Sequence, residues 1–148
     1  MAKLLILGPS YRRNPSPEPL PAIERYDGQF YRIVRKYMDE LREKDVDVII
    51  ITEDLDVVTP EMKLPYKPPT GDQWKVFQPS VKDLDKVRKL QERILEVVKS
   101  KRYDEIFIAL NRYYRQLLPD LTPYANKVIA YSKGFGKKMR YLKEWLTR

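Results

Sequence analysis

The chain contains neither cysteine nor histidine among its 148 residues. The missing cysteine excludes disulfides and thiol nucleophiles, and the missing histidine excludes Ser-His-Asp triads and imidazole metal ligands. Zinc fingers need one or both residue types and are excluded as well. Any acid–base chemistry therefore falls to aspartate, glutamate, lysine or tyrosine.

Long apolar runs are also missing. The runs are short, such as residues 4–7 and 48–51, whereas a membrane helix needs roughly 20 apolar residues. The N-terminus lacks the apolar stretch and small-residue cleavage site of a signal peptide. We therefore expect a cytoplasmic protein that does not bind membranes. A hydrophobic content of 43% in 148 residues is enough for one core, which predicts a single domain over residues 1–148.

Basic residues are in excess, with 29 Lys and Arg against 21 Asp and Glu and a net charge of +8. The excess lies in two segments, residues 82–102 with a net charge of +4 and residues 132–148 with +5. Such segments attract polyanions, nucleic acid among them. Solvated helix faces explain the same charges equally well. The missing cysteine, the abundant Lys and Glu and the 12 prolines fit a thermophile.

Hydrophobic periodicity predicts strands alternating with helices. Short apolar runs predict strands at 3–7, 46–51, 105–110 and 127–131, and a period near 3.6 predicts helices at 27–41, 80–100, 111–118 and 136–147. Strands that are apolar throughout favour a parallel sheet covered on both faces. The predicted fold is therefore a three-layer α/β/α domain with a mainly parallel sheet of about four strands. Proline-rich loops fill residues 8–21 and 52–79, and we interpret the second as a cover or site loop.

Polar, basic and aromatic residues follow the predicted strands, at the sheet edge where parallel α/β folds bind ligands. Arg and Lys suit a phosphate, and tyrosine rings suit a stacked base. Glycines at 134 and 136 also let the backbone approach an anion, although neither a Walker A loop nor a dinucleotide fingerprint is present. The predicted ligand- or phosphate-binding residues are Ser10, Arg12, Arg13, Asn14, Asn111, Tyr113, Lys133, Lys137 and Lys138.

Acidic residues follow the second predicted strand. Glu53 and Asp54 are the candidate catalytic residues, because a carboxylate facing the basic loops is suited to act as a general base. Asp27 is interpreted as a helix cap rather than as a ligand group. No metal site and no cofactor are predicted, and the sequence does not indicate an oligomeric state.

Several short motifs carry a family resemblance. The opening Ile6-Leu7-Gly8-Pro9-Ser10-Tyr11-Arg12-Arg13, the segment Tyr26-Asp27-Gly28-Gln29-Phe30 and the late Gly134-Phe135-Gly136 resemble a family of uncharacterised small microbial α/β domains related to the YaaA-type peroxide-stress proteins. The resemblance implies a nucleotide- or nucleic-acid-linked domain with no settled reaction. Members often carry cysteine in the first loop, where this chain has Gly8-Pro9-Ser10, so no thiol-dependent role transfers.

The first strand with Gly8-Pro9-Ser10 also resembles the first motif of uracil-DNA-glycosylase-like folds, although the acidic residue that activates water there is missing. The leading hypothesis is a domain that binds a nucleotide or nucleic acid through basic loops at the carboxyl ends of the strands. One alternative is a nucleoside- or nucleotide-processing enzyme, glycosidase- or hydrolase-like, that uses Glu53 or Asp54. The other is a protein-interaction module.

Overall fold

The computed structural model describes residues 2–69, 76–79, 82–130 and 135–147, which form a mixed α/β fold. The strands are β1 (Lys3–Leu7), β2 (Leu20–Pro21), β3 (Val46–Ile51), β4 (Val57–Val58), β5 (Lys63–Leu64), β6 (Tyr103–Ala109) and β7 (Ala125–Ala130). The helices are α1 (Ala22–Arg25), α2 (Gln29–Lys36), α3 (Met38–Glu43), α4 (Leu84–Ser100), α5 (Arg112–Arg115) and α6 (Phe135–Thr147), with a 3₁₀ turn at Thr122–Tyr124. None of the described helices is long and apolar enough to cross a bilayer.

Five strands form the main sheet in the order β4-β3-β1-β6-β7. The strands β3, β1, β6 and β7 are parallel, and Ile6 of β1 lies between Ile49 and Ile108. The mainly parallel sheet is thus confirmed, with one strand more than predicted. The extra strand, β4, turns back antiparallel to β3, through a turn in which Leu55 adopts a left-handed φ of 64°.

Side chains of β1 alternate between two hydrophobic clusters, one on each face of the sheet. Leu4 and Ile6 pack in the cluster that contains Ile94 of α4. Leu5 and Leu7 pack in the other cluster, with side chains of α2, α3 and α6 such as Val34. Because successive strand residues point to opposite faces, burial on both faces requires the four buried residues of β1, Leu4 to Leu7, all to be apolar. This explains why the central strands are continuous apolar runs in the sequence.

Three predicted helices differ from the structure by more than one residue, and one of them, predicted at 111–118, is the shorter α5 at Arg112–Arg115. The predicted helix at 27–41 is broken at Tyr37, whose φ of −110° separates α2 from α3. Asp27 does not cap α2, since Gly28 occupies the N-cap position. Helix α4 begins at Leu84, where the Asp83 carboxylate accepts hydrogen bonds from two backbone amides of the first turn. Residue 80, where this helix was predicted to begin, lies outside the described residues.

The proline-rich segment after β1 is held by one buried side chain, Arg25, which is 2% exposed. Its guanidinium donates hydrogen bonds to the backbone carbonyls of Asn14, Ser16, Glu18 and Leu64. The pairing of β2 with β5 joins the same two stretches of chain. The buried Arg25 guanidinium therefore joins the two proline-rich loops to each other.

Candidate functional site

A cleft of about 770 Å³ lies at the carboxyl ends of β1 and β6, where Leu7 and Ala109 end their strands. These strands are neighbours in space although β3 and β4 lie between them in the sequence. Val34 of α2, which follows β1, packs in the cluster with Leu5 and Leu7, whereas Tyr114 of α5, which follows β6, packs in the cluster with Leu4 and Ile6. Such a switch point is where open parallel sheets bind ligands. The volume is within the usual range for small-molecule sites.

The described lining of the cleft is rich in basic and aromatic side chains. The basic ones are Arg12, Arg32, Arg112 and Lys138, and Asp27 is the one carboxylate in this described lining. The aromatic ones are Tyr11, Phe30, Tyr31, Phe77, Tyr113 and Tyr114. A concave, positively charged site with aromatic walls favours an anionic ligand that carries a ring.

Asp27 is surrounded by three guanidinium groups. Arg35 Nη2 lies 2.5 Å from its Oδ1, Arg32 Nη2 lies 3.4 Å from its Oδ2, and Arg12 Nε lies 3.7 Å from its Oδ2. The hydrogen bond from Arg32, followed by that from Arg35, lowers the pKa of Asp27 despite partial burial. Asp27 therefore stays ionised and is a weak base. Asp27 and the three arginines together keep a net positive charge.

The loop after β1 is held in place by its own hydrogen bonds. Tyr31 donates from its hydroxyl to the Gly8 carbonyl at 2.5 Å. The Ser10 hydroxyl and the Asp27 amide both donate to the Arg12 carbonyl, each at 2.9 Å. Ser10, a predicted ligand residue, is only 6% exposed. Its hydroxyl fixes the loop that carries Arg12 at the edge of the cleft.

Gly28 approaches this loop so closely that a side chain would collide with it. A Cβ at position 28 would lie 2.4 Å from Ser10 Oγ and 3.3 Å from Ser10 Cβ. We expect Gly28→Ala to lower the free energy of unfolding by about 1–2 kcal/mol, as overpacked sites do. Ser10→Ala removes the closer atom, so Gly28→Ala should cost less stability when it is added to Ser10→Ala than when it is added to the wild type. Urea denaturation measures both costs, and equal costs in the two backgrounds would contradict the clash.

The loop after β6 is fixed by Asn111, whose side-chain amide both accepts and donates a hydrogen bond. Its Oδ1 accepts from the Tyr114 amide at 3.0 Å, and its Nδ2 donates to the Phe77 carbonyl at 2.9 Å. Tyr114 donates its hydroxyl to the Val76 carbonyl at 2.7 Å, and burial raises its pKa. Asn111 and Tyr114 therefore hold Phe77 in the cleft lining.

Arg112 and Tyr113 form a stacked pair in the lining. Arg112 donates from Nη2 to the Tyr113 hydroxyl at 3.0 Å, and its guanidinium carbon lies 4.9 Å from the ring centroid. The hydrogen bond from Arg112 lowers the pKa of Tyr113. The pair brings a cation and an aromatic ring to the same wall.

Of the predicted lysines, Lys138 lines the cleft. It is half-buried, and desolvation, followed by the charge of Arg115, lowers its pKa. Lys137 is exposed and does not contribute to the described lining. Lys133 lies outside the described residues.

Four other predicted residues do not line the cleft. Arg13 is buried, with its side chain 3% exposed, and its Nη1 lies 2.6 Å from Glu53 Oε1. Asp54 pairs with Lys67 at 3.0 Å on the surface. The Asn14 side chain accepts a hydrogen bond from a backbone amide two residues later. The Arg13–Glu53 pair joins the turn after β3 to the loop after β1, and the Asp54–Lys67 pair joins the same turn to the segment after β5.

The sequence analysis did not single out the start of α2 as part of a site. Asp27 was interpreted as a cap, and Arg32 was not considered, yet both line the cleft. A signal was available, because Arg32 and Arg35 are three residues apart and share one face of α2, next to an acid just before the helix. Phe77 had no comparable signal, since its position depends on Asn111, which lies 34 residues away.

Comparison with protein-family models, with curated proteins and with solved structures finds no match. The described residues contain no group of three or more acidic side chains placed to hold a metal ion. The fold and the cleft together define a mixed α/β protein with an electropositive, aromatic-walled pocket at the switch point of its sheet. Its function is argued from that geometry, and the resemblance to the YaaA-type family stays a prediction.

Proposed function

We propose that this chain binds a nucleotide, free or within a nucleic acid, in the cleft at the carboxyl ends of β1 and β6, within a three-layer α/β/α domain. One observation carries the proposal. The described lining contains four basic side chains, six aromatic ones and a single carboxylate. Guanidinium and ammonium groups bind phosphate, and aromatic rings stack on bases with little preference for sequence.

The charges of α4 weaken the alternative of an extended nucleic-acid surface. Arg88 lies 3.3 Å from Asp85 and 3.9 Å from Glu92. Lys101, which follows the helix, lies 2.9 Å from Asp47. Part of the excess positive charge of residues 82–102 is therefore neutralised by carboxylates within the fold. The cations of the cleft instead line one concave surface.

The alternative of an enzyme that uses Glu53 or Asp54 has less support. Glu53 is paired with Arg13, and Asp54 with Lys67, outside the described lining of the cleft. Asp27, the carboxylate that does line it, has a lowered pKa and would accept a proton poorly. Binding without chemistry is the function that these positions favour.

The test is a thermal-shift and calorimetric titration with the four 5′-ribonucleoside monophosphates and a short single-stranded oligonucleotide. At a ligand concentration of about 100 times Kd, the free energy of unfolding rises by roughly 2.7 kcal/mol. For a chain of this size we expect Tm to rise by about 5–10 °C. Arg12→Gln and Arg112→Gln should each weaken binding about tenfold, which is the usual effect of losing one charge-assisted hydrogen bond.

The matched control is Arg88→Gln, which removes the same charge from α4 and should leave affinity within about threefold. An oligonucleotide that binds with a steep salt dependence while the monophosphates do not bind would assign the cleft to nucleic acid. Failure of every monophosphate and of the oligonucleotide to bind at millimolar concentration would contradict the proposed function.

A further inference from the structure

The two oxygens of the Asp27 carboxylate differ in their partners. Oδ1 accepts from Arg35 Nη2 at 2.5 Å. Arg35 does not belong to the described lining, and it also donates to two backbone carbonyls of the segment before α2. Oδ2 lies 3.4 Å from Arg32 Nη2 and 3.7 Å from Arg12 Nε, and both of these arginines line the cleft. Oδ2 is therefore the oxygen on the cleft side, and Arg35 positions the carboxylate from behind.

Oδ2 has capacity for a further hydrogen bond. A guanidinium donates to a carboxylate at about 2.7–2.9 Å in a strong pair, and both described contacts of Oδ2 are longer. The Asp27 side chain is 26% exposed, so a ligand in the cleft reaches it. The hydrogen bond from Arg32, with a further one from Arg35, lowers the pKa of Asp27. The carboxylate is therefore ionised at neutral pH and only accepts hydrogen bonds, so Oδ2 calls for a donor from the ligand.

A hydroxyl suits this position better than the other polar groups of a nucleotide. A phosphate would bring a second anion against Asp27, and it is attracted instead to Arg112 and Lys138, which line the cleft and have no carboxylate within salt-bridge distance in the part of the chain that the structure describes. An amino group of a base donates to Oδ2 but does not accept from a guanidinium. A hydroxyl donates once and accepts through two lone pairs. It therefore bonds to Oδ2 and accepts from Arg12 or Arg32 at the same time.

Resting on the proposed function, we propose that Asp27 accepts a hydrogen bond from a ribose hydroxyl of the bound nucleotide, and that the cleft therefore selects ribonucleotides over deoxyribonucleotides. The 2′-hydroxyl both donates and accepts, and it is the group by which proteins distinguish RNA from DNA. A ligand without the hydroxyl would cover Oδ2 and exclude water without giving it a donor. The penalty for an unsatisfied charged acceptor is then the source of the selectivity.

The experiment compares the four ribonucleoside 5′-monophosphates with their 2′-deoxy, 3′-deoxy and 2′-fluoro counterparts by calorimetry. A 2′-fluorine keeps a ribose-like sugar pucker but donates no hydrogen bond. The titrations are performed on the wild type, Asp27→Asn and the control Asp85→Asn. Asp85 is also paired with an arginine, 3.3 Å from Arg88, but it is 77% exposed and lies outside the described lining. Its substitution changes the net charge equally.

We expect the wild type to bind a ribonucleotide about 10- to 100-fold more tightly than the counterpart that lacks the donating hydroxyl, the range for a hydrogen bond to a charged group. If the 2′-hydroxyl donates, the 2′-fluoro and 2′-deoxy ligands should bind alike. Asp27→Asn should bring the ribose and deoxyribose affinities within about threefold, and Asp85→Asn should keep the wild-type ratio. The ratio is decisive, because a purely structural role of Asp27 in placing Arg12 and Arg32 would weaken both ligands equally.

Three results would overturn the contact and leave the proposed function intact. The first is equal binding of the ribose, 2′-deoxy and 3′-deoxy ligands by the wild type. The second is a ribose preference that Asp27→Asn retains. The third is a preference for bases with an exocyclic amino group, without a ribose preference, that is lost in Asp27→Asn, since Asp27 would then contact the base. If no nucleotide binds to the wild type, the proposed function and the contact both fail.

A second variant serves if Asp27→Asn does not fold. Asp27→Glu keeps the negative charge among the three arginines but displaces the carboxylate by one methylene group. Because hydrogen bonds depend steeply on distance and angle, this variant should reduce the ribose preference by about threefold or more. A ribose preference equal to that of the wild type would overturn the contact. Thermal unfolding establishes beforehand which variants are folded.

Discussion

Arg25→Met is expected to lower the free energy of unfolding by about 3 kcal/mol or more, among the largest effects of any single substitution in this chain. The guanidinium is 2% exposed and donates to four backbone carbonyls. Methionine fills similar space but leaves those carbonyls without a donor, and each unsatisfied group costs about 1 kcal/mol or more. Urea denaturation measures the change, and Tm should fall by about 6–12 °C.

The control for this prediction is Arg32→Met, which removes the same charge from a side chain that is 48% exposed. That variant should lose no more than about 1 kcal/mol. Arg25→Lys should fall between the two, because an ammonium keeps the charge but does not reach carbonyls that are spread around a planar fork. Equal stability of Arg25→Met and Arg32→Met would show that Arg25 does not hold the proline-rich loops together.

The importance of Arg25 was not predictable from sequence, because its partners are remote. The acceptor at Leu64 lies 39 positions away, and the contact requires β2 and β5 to be paired. Strands of two residues have no periodicity to detect.

The central strands, by contrast, were predictable from the sequence. The predictions at 3–7 and 46–51 match β1 and β3, because burial on both faces imposes a continuous apolar run.

Strand order was the second unpredictable feature of the fold. Chain order does not show that β1 is flanked by β3 and β6, and only that order makes the ends of β1 and β6 adjacent. The turn after β3 instead returns into β4. The general rule that ligands bind at strand ends therefore predicts the loops after β1 and β6, which line the cleft. It also predicts the loop after β3, which does not line the cleft.

Within the predicted loops, the sequence did not show which of two adjacent basic residues faces the cleft. Arg13 forms an isolated antiparallel bridge with Tyr26, directly after a bend at Tyr11 and Arg12. Arg12 lines the cleft, whereas the Arg13 side chain is buried beside Glu53. On a helix, neighbours are separated by about 100°, which similarly separates Lys138 from Lys137.

Arg13→Met is expected to destabilise the fold by about 3–4 kcal/mol without weakening ligand binding more than about threefold. The ion pair with Glu53 is 2.6 Å long, and the Arg13 and Glu53 side chains are 3% and 18% exposed. Removing one partner of such a pair leaves a poorly solvated charge, which is the costly outcome. Arg13 also donates to the Lys67 carbonyl at 2.8 Å, so its loss loosens the segment after β5 as well.

A double-mutant cycle separates a supporting role for Arg13 and Glu53 from a functional one. Arg13→Met/Glu53→Met removes both charges, and its loss of stability should be smaller than the sum of the single losses by about 2 kcal/mol. Urea denaturation gives the coupling energy, and calorimetry with a monophosphate gives the affinity. Coupling near zero, together with unchanged stability and lost affinity in Arg13→Met, would instead make Arg13 a ligand residue. The buried geometry of the pair favours the first result, because a guanidinium already held by Glu53 would have to give up that partner to reach a phosphate.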